Sequence, residues 1–521
     1  MGGRVILWFR NDLRLLDNAC VNAAEKLVQS GKAREVVPLY CFDPRSYVRT
    51  PYGNHKTGPM RAKFIRESVA DLKANLQSIG SDLAVVLDKP ENAIRDLVSG
   101  DTTVLATEEI CSEEKQVEEQ LRRALQGKGQ LQLIWDNTLY HQDDLPFGFD
   151  DMPDVFSPFK NKLESKCQVR PSFSRPSKGS LPLPSDLDAS LLSKMPASVE
   201  DLNAIASGPE SLSTPQDHPQ AALNAKGGET EALARLKHYL WDTDRIADYF
   251  NTRNGMLGPD YSTKFSAWLA HGCLSPRTVH HELQKYQDQR TSNKSTYWVS
   301  FELTWRDYFR YFAQKHGSKI FHEEGPSPRR VTWQYDNDAF ERWRQGKTGL
   351  PLVDANMREL AQTGFMSNRG RQNVASFLAL DLNQDWRQGA DWFESVLVDY
   401  DVHSNWGNWV SAAGMTGGRI NKFNVVKQSK DYDAEGDYMR TWIPELAKVP
   451  APLIHEPWRM SGDEQEKYGC RLNSDYPMPM KSKSNGPPRD GGTRGGGSRG
   501  GRSRGGGKRG NRNKGKADQI H

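Results

Sequence analysis

Within eleven residues, Asp399-Tyr400-Asp401-Val402-His403-Ser404-Asn405-Trp406-Gly407-Asn408-Trp409 collects two carboxylates, an imidazole, amides and two indoles. Shortly before it, Val353-Asp354-Ala355-Asn356-Met357-Arg358 and Asn368-Arg369-Gly370-Arg371 interrupt an apolar helical pattern with charges and amides. Asn368 and Arg371, three residues apart, share one helical face, and a buried Arg371 needs an acidic partner. Two chemistries fit these groups: recognition of the hydrogen-bonding edge of a cofactor ring, or a purely structural Asp–Arg network. A metal is not expected, because Asp-x-Asp-x-His lacks the further oxygen ligands of a hard cation and the clustered His or Cys partners of zinc. Upstream, Pro259-Asp260-Tyr261-Ser262-Thr263-Lys264-Phe265-Ser266 sets hydroxyls and one cation at the start of an apolar-periodic stretch. Free N–H groups at a helix start favour a phosphate there, although an ordinary N-cap uses the same residue types.

The elements that hold these groups fall into two sets. A chain of 521 residues exceeds one hydrophobic core. Short β-branched runs at Val5–Phe9, Glu35–Phe42, Leu83–Leu87, Thr102–Ala106 and Leu131–Trp135 alternate with amphipathic stretches near 17–29, 60–78, 90–98 and 113–126. That βα order predicts an α/β domain, a doubly wound parallel sheet, over residues 1–136. No Gly-x-Gly-x-x-Gly follows the first strand, and Gly346-Lys347-Thr348 is no P-loop, because Glu341 stands where its first glycine belongs. Residues 137–228, rich in Pro, Ser, Asp and Lys, read as an irregular, partly mobile connector. Residues 229–470 carry aromatics at helical spacing, such as Trp298, Phe301, Trp305, Tyr308, Phe309 and Phe312, and predict an all-α domain.

The remainder, 471–521, is expected to be disordered, and its Arg-Gly repeats cannot build a core. From Lys481 to His521 twelve Lys/Arg stand against two Asp, giving +10, so the preceding residues carry 4 − 10 = −6. A tail of that charge suits nucleic-acid phosphates, RNA included, without sequence selectivity; a merely solubilising tail has the same composition. Six scattered cysteines without a Cys-x-x-Cys pair read as free thiols in a reducing, intracellular compartment. No apolar run is long enough to span a membrane, and Ile6 stands where a myristoylation signal needs Ser or Thr. The chain is therefore expected to be soluble, in nucleus or cytoplasm, with Arg502–Lys516 as a candidate import signal.

Several motifs carry a family resemblance: Trp8-Phe9-Arg10-Asn11-Asp12-Leu13-Arg14, Glu302-Leu303-Thr304-Trp305-Arg306-Asp307-Tyr308, Thr348-Gly349-x-Pro351-x-Val353-Asp354-Ala355-x-Met357-Arg358 and Asn405-Trp406-Gly407-Asn408-Trp409. Over about residues 4–459 the chain resembles the photolyase/cryptochrome family, and Lys56-Thr57-Gly58-Pro59-Met60-Arg61 looks most like its DASH branch. The resemblance implies an α/β antenna domain and a helical domain holding a U-shaped FAD. It implies that Tyr249, Ser262, Thr263, Lys264, Phe265 and Ser266 cradle the FAD phosphates. Arg306, Phe365, Asn368, Arg371, Asp399, Asp401 and Asn405 would surround the flavin, with Arg371 and Asp399 as an ion pair and Asn405 facing N5. A neutral amide at N5 adds no negative charge against a reduced flavin. Trp409, Trp386 and Trp333 would form an electron relay, and Glu109 would contact a 5,10-methenyltetrahydrofolate antenna.

On the same resemblance Glu302 hydrogen-bonds a flipped cyclobutane pyrimidine dimer, Trp305 is its stacking wall, and Gln372 borders it. Excited reduced FAD would then split the ring. Two positions depart from bacterial photolyases: Ser411 replaces a second aromatic wall, and Gln372 stands where Met is usual. Weaker stacking offsets less of the cost of extruding a dimer, so single-stranded DNA is expected to be preferred over duplex, with turnover that is not necessarily strong. The alternative is a blue-light photoreceptor or nucleic-acid-binding transcriptional regulator without significant turnover. A monomer is expected.

Overall fold

The computed structural model describes residues 2–206, 211–418 and 420–481. The Arg-Gly repeats and their nucleic-acid reading lie outside the described residues. Five strands, β1 (Gly3–Phe9), β2 (Ala33–Cys41), β3 (Ala84–Val86), β4 (Thr102–Thr107) and β5 (Gln130–Ile134), coincide with the five apolar runs. They form one parallel sheet in the order β3-β2-β1-β4-β5. Helices α1 (Ala19–Gln29), α2 (Pro59–Ser78), α3 (Pro90–Leu97) and α4 (Ser112–Ala124) connect them. Local signals set these starts: the Asn18 side chain accepts from Val21 N, while Pro59 and Pro90 occupy first-turn positions where a missing N–H costs nothing.

Alternation along β1 divides two cores. Val5, Leu7 and Phe9 join the large core shared with the helical half, whereas Ile6 and Trp8 pack with Ile94, Val104 and Leu121 on the other face. The chain order reverses at β1, where Val5 pairs with Val36 on one side and Thr103 on the other. Connections from β1 and β4 therefore diverge, and a doubly wound sheet leaves a crevice at that point, at the carboxyl ends of its strands.

The connector departs from the expected irregular chain. Phe156, Phe159 and Leu163 are buried on one face of α5 (Phe156–Lys166), a helical period hidden among Pro and Ser residues. Asp307 fixes the connector's start, its carboxylate accepting from Leu139 N (3.0 Å) and Tyr140 N (2.8 Å).

The helical half contains α6 (Pro276–Gln289), α7 (Lys294–His316), α8 (Pro351–Thr363), α9 (Asn368–Ser376), α10 (Trp386–Val396) and α11 (Val402–Ala412). Helix α7 begins with a reciprocal Asn293–Thr296 capping box. The ordered body also runs past residue 470, where a disordered tail was expected to begin. Tyr476 is buried, its hydroxyl donates to Asp354 (2.5 Å), and Met480 N donates to Thr348 O (2.8 Å). One large aromatic was enough to anchor this short segment.

A buried charge network ties the sheet to the helices. Arg277, at the start of α6, donates to Asp17 (2.8 Å) and Asp136 (2.8 Å), and Asp136 also accepts from Arg14 (2.7 Å). Beside it, Gly272 has φ +65°, and a Cβ there would lie 2.0 Å from Asn11 O, so only glycine lets the helical half approach the β1 loop. Replacing Arg277 by Ala leaves two carboxylates short of a partner and is expected to cost about 3–5 kcal/mol, read as a lower denaturant midpoint. An unchanged midpoint would mean the network does not hold the two halves together.

Candidate functional site

Helix α11 gathers the polar groups seen first. Its N-cap is Asp401, which accepts from Ser404 N (2.8 Å) and contacts His403 Nδ1 at 2.7 Å. Burial alone would raise the Asp401 carboxyl, but His403 and Arg306 pull it well below the usual carboxylate range. One turn on, Asn405 Nδ2 donates to Ala390 O of α10 (3.0 Å). Its Oδ1 has no hydrogen-bond partner among the described residues, leaving one acceptor for a ring N–H. A further turn on stands Trp409, so the 401, 405, 409 spacing lines one face.

Arg371 of α9 donates through Nη2 to both oxygens of buried Asp399 (2.8 and 3.0 Å), while Nε donates to Met366 O (2.9 Å). The acidic partner that the sequence demanded is thus Asp399. Phe365 lies beneath the guanidinium, 5.9 Å from its ring centre. Asn368 opens α9 and is exposed.

The Ser262–Ser266 stretch does not begin a long helix. Lys264 takes φ +60°, a left-handed conformation, and the helix that follows, Ser266–Ala270, has only five residues. Arg235 shapes the loop by donating to Pro259 O, Asp260, Ser262 O and Thr263 O at 2.7–3.1 Å. Phe265 is buried in the core, Ser262 and Thr263 are half-buried, and Ser266 is exposed. The buried Lys264 Nζ has no hydrogen-bond partner among the described residues. It rests 3.1 Å from the centre of the Tyr261 ring and 4.5 Å from that of Phe365, and burial pushes it well below the ordinary lysine range. A buried, unpaired ammonium is costly, and an anion beside it would restore its charge.

The Tyr249 hydroxyl donates to Glu302 of α7, and the Tyr239 ring contacts both Tyr249 (6.3 Å) and Phe265 of the 262–266 stretch (6.2 Å). Desolvation pushes the Glu302 carboxyl up to about 7, against the lowering effect of Tyr249 and Arg253. One turn along α7, Trp305 is half-buried and stacks on Phe156 at 3.5 Å and on Phe309 at 5.7 Å. Gln372 accepts from Arg369 (2.9 Å), which also donates to Asn254 (3.1 Å). The sequence reading missed Phe156, although the Phe156-x-x-Phe159 period was there to find.

The indoles occupy a compact region. A Cβ on Gly389 of α10 would meet Trp409 at 2.3 Å, so α10 and Trp409 touch directly, three residues from Trp386. Trp333 is pinned beside the start of that helix, because Gln334 N donates to Asn383 O (2.8 Å) and Asp385 N to Gln334 O (3.1 Å).

At the crevice of the sheet lies a cavity of about 570 Å³, lined by Trp8–Asn11 at the end of β1, Glu109 and Cys111–Glu114 after β4, and Arg306, Arg310, Asp401 and Trp406 from the helices. Glu109 is buried, accepts from Asn11 (3.4 Å) and pairs Arg310 (3.4 Å). Both bonds are long, so the carboxylate retains capacity for a ligand donor. Glu114 in the same wall is pushed up to about 7 by desolvation and then by Glu109.

Residues 298–486 match the model of the FAD binding domain of DNA photolyase, and residues 5–178 match the DNA photolyase model. A cryptochrome DASH of Ostreococcus tauri is 48% identical over 513 residues, covering 92% of this chain and 91% of that protein. One from Danio rerio is 47% identical, covering 93% of each chain. The solved structure of a Synechocystis cryptochrome superposes with a TM-score of 0.84 at 44% identity, covering 92% of this chain and 97% of that one. The chain belongs to the photolyase/cryptochrome family. Within that family it falls among the DASH cryptochromes.

The donor set fits the dinucleotide that this family's helical domain binds. Lys264 offers a charge for a phosphate, the Arg371–Asp399 pair a polar edge, and Asn405 Oδ1 an acceptor. Bound FAD would supply one-electron chemistry, and these residues would hold it and keep neutral or paired charges around it.

Glu302 makes the site sensitive to pH. Its folded pKa of about 7 lies above the ordinary 4.5, so between these values the folded carboxyl keeps a proton that the unfolded chain has lost. Its burial therefore costs increasing stability as pH rises through that window. Below about 7 the neutral acid can donate to a ligand carbonyl, and above it the anion can only accept. Affinity for a pyrimidine-dimer oligonucleotide is expected to fall above pH 7, by up to about tenfold per unit for one proton, and to flatten in Glu302→Gln. An identical slope in the two proteins would remove Glu302 from lesion recognition.

Proposed function

We propose that the chain is a blue-light-driven, FAD-dependent lyase that reopens cyclobutane pyrimidine dimers, mainly in single-stranded DNA. The observation that carries this reading is Glu302 beside Trp305: desolvation raises its carboxyl to about 7 while the Tyr249 hydroxyl holds it in place next to an aromatic wall. Glu302 hydrogen-bonds the bases and Trp305 stacks on them, while Arg369 and Gln372 border the opening. FAD, when bound, would supply the one-electron chemistry of ring opening. Trp409, Trp386 and Trp333 are read as the relay that recharges it. Glu109 and its cavity suit a folate-type antenna, 5,10-methenyltetrahydrofolate.

Magnitudes support the single-strand preference. Stacking is worth about 1–3 kcal/mol per base, and extruding a base costs a few kcal/mol. Phe156 already covers one face of Trp305, and Ser411 offers no second wall. A single wall does not offset extrusion from duplex, whereas an unpaired strand has no such cost. The same Phe156 stack favours the second reading, a light-sensing flavoprotein without turnover, because it occupies part of the aromatic surface.

Illumination of the reduced protein with dimer-containing oligonucleotides is expected to restore several thymine pairs per protein on single strands and far fewer on duplex. Absence of turnover on single strands would leave the sensing role. Removing residues 482–521, which carry +9 (eleven Lys/Arg, two Asp), is expected to weaken binding and flatten its salt dependence. Equal salt slopes would rule out the tail as a phosphate contact.

A further inference from the structure

The tryptophans matched to the relay end in the wrong place for exchange with solvent. Trp409, Trp386 and Trp333 are 2%, 0% and 4% exposed, so none presents its ring to a reductant. Trp386 has a second aromatic neighbour. Trp406 of α11 lies 5.9 Å away, ring centre to ring centre, at an interplanar angle of 76°. It is half-buried and lines the 570 Å³ cavity at the crevice of the sheet. Phe321, 5.1 Å off, closes its other flank.

Trp406 also has what an oxidised indole needs. Its Nε1 donates to the Glu394 carboxylate at 3.3 Å. Glu394 is buried, and burial raises its carboxyl above the ordinary range, while the neighbouring cations Lys56 and Arg61 and the Tyr400 hydroxyl act against that and favour the proton-accepting carboxylate. An indole that loses an electron becomes a strong N–H acid, and a carboxylate at hydrogen-bond distance takes that proton without solvent. By contrast, the buried Trp333 Nε1 has no hydrogen-bond partner among the described residues, and Trp386 Nε1 donates to a backbone carbonyl, Glu323 O, which is not a base (3.2 Å).

We propose that Trp406, with Glu394 as its proton acceptor, is a solvent-facing terminus of the relay, opening into the interdomain cavity. The proposal rests on the relay reading of Trp409 and Trp386. One electron leaves Trp409 for photoexcited oxidised flavin; Trp386 refills Trp409, and Trp406 refills Trp386. The Trp406 N–H proton passes to Glu394, leaving a neutral indole radical. Where no antenna chromophore fills that part of the cavity, a small thiolate returns one electron and leaves as a thiyl radical, the proton goes back from Glu394 to Nε1, and the net change is one electron from thiolate to flavin.

The test uses the full chain with oxidised FAD, blue light and dithiothreitol, following flavin reduction and the indole radical by transient absorption and electron paramagnetic resonance. Dark flavin content is matched among variants. Trp406→Phe is expected to lose the long-lived deprotonated radical and slow photoreduction severalfold. Glu394→Gln keeps charge separation, but its radical stays protonated and recombines faster. In the flavin-free chain, Trp406→Phe is expected to reduce the fluorescence quenchable by acrylamide. If Trp386→Phe abolishes photoreduction while Trp406→Phe matches the wild type, the branch fails and the relay stands. If Trp386→Phe changes nothing, the relay itself fails, and the branch with it.

Discussion

Four buried charges, Arg14, Asp17, Asp136 and Arg277, hold the sheet and the helices in one geometry, and both cavity and site inherit that geometry. Each is at most 4% exposed, so removing one strands the others in a low dielectric. Arg14 and Asp17 follow β1, Asp136 follows β5, and Arg277 opens α6. The network therefore closes around the reversal point of the sheet, where the crevice forms. Hydrophobic contact is non-directional, whereas a network of opposed, directional pairs fixes one registration. That constraint sets Glu109, from the sheet, opposite Arg310, from the helices.

The sheet was legible in the sequence because parallel strands are buried on both faces and read as continuous apolar runs. The chemistry of Asp399, Arg371 and Asn405 was legible as polar groups breaking an apolar period, but their pairing was not. Nothing in spacing says that Arg371 reaches Asp399 rather than Asp401; the family resemblance supplied that choice, and the 2.8 Å contact carries it. Other features were hidden for physical reasons. Phe156 sat in a stretch whose composition suggested loop, although three apolar residues suffice for a helix that packs on α7. The 259–266 segment looked like a helix start, yet Lys264 at φ +60° makes it a left-handed kink, a conformation that a lysine's residue type does not announce. Tyr476 stood too close to the low-complexity tail to be read as core.

Two helices carry most of the site, and their contact explains why its parts keep their distances. On α7, Glu302 and Trp305 are one turn apart, and Phe309 lies one turn further. Phe309 abuts Gly407 of α11, where a Cβ would come within 2.5 Å of its ring, so the helix axes approach as only glycine allows. On α11 the residues flanking Gly407 by two positions are Asn405 and Trp409. Glu302 and Trp305 are therefore separated from Asn405 and Trp409 by one packed contact rather than by a loop, and rigid helices preserve such spacing better than loops do. The 259–266 loop is built differently: a left-handed kink at Lys264, an ammonium without a hydrogen-bond partner among the described residues, and hydroxyls of graded exposure. The Arg235 guanidinium holds that loop, whereas the Phe309–Gly407 contact holds the helix pair, so the two parts owe their geometry to different interactions.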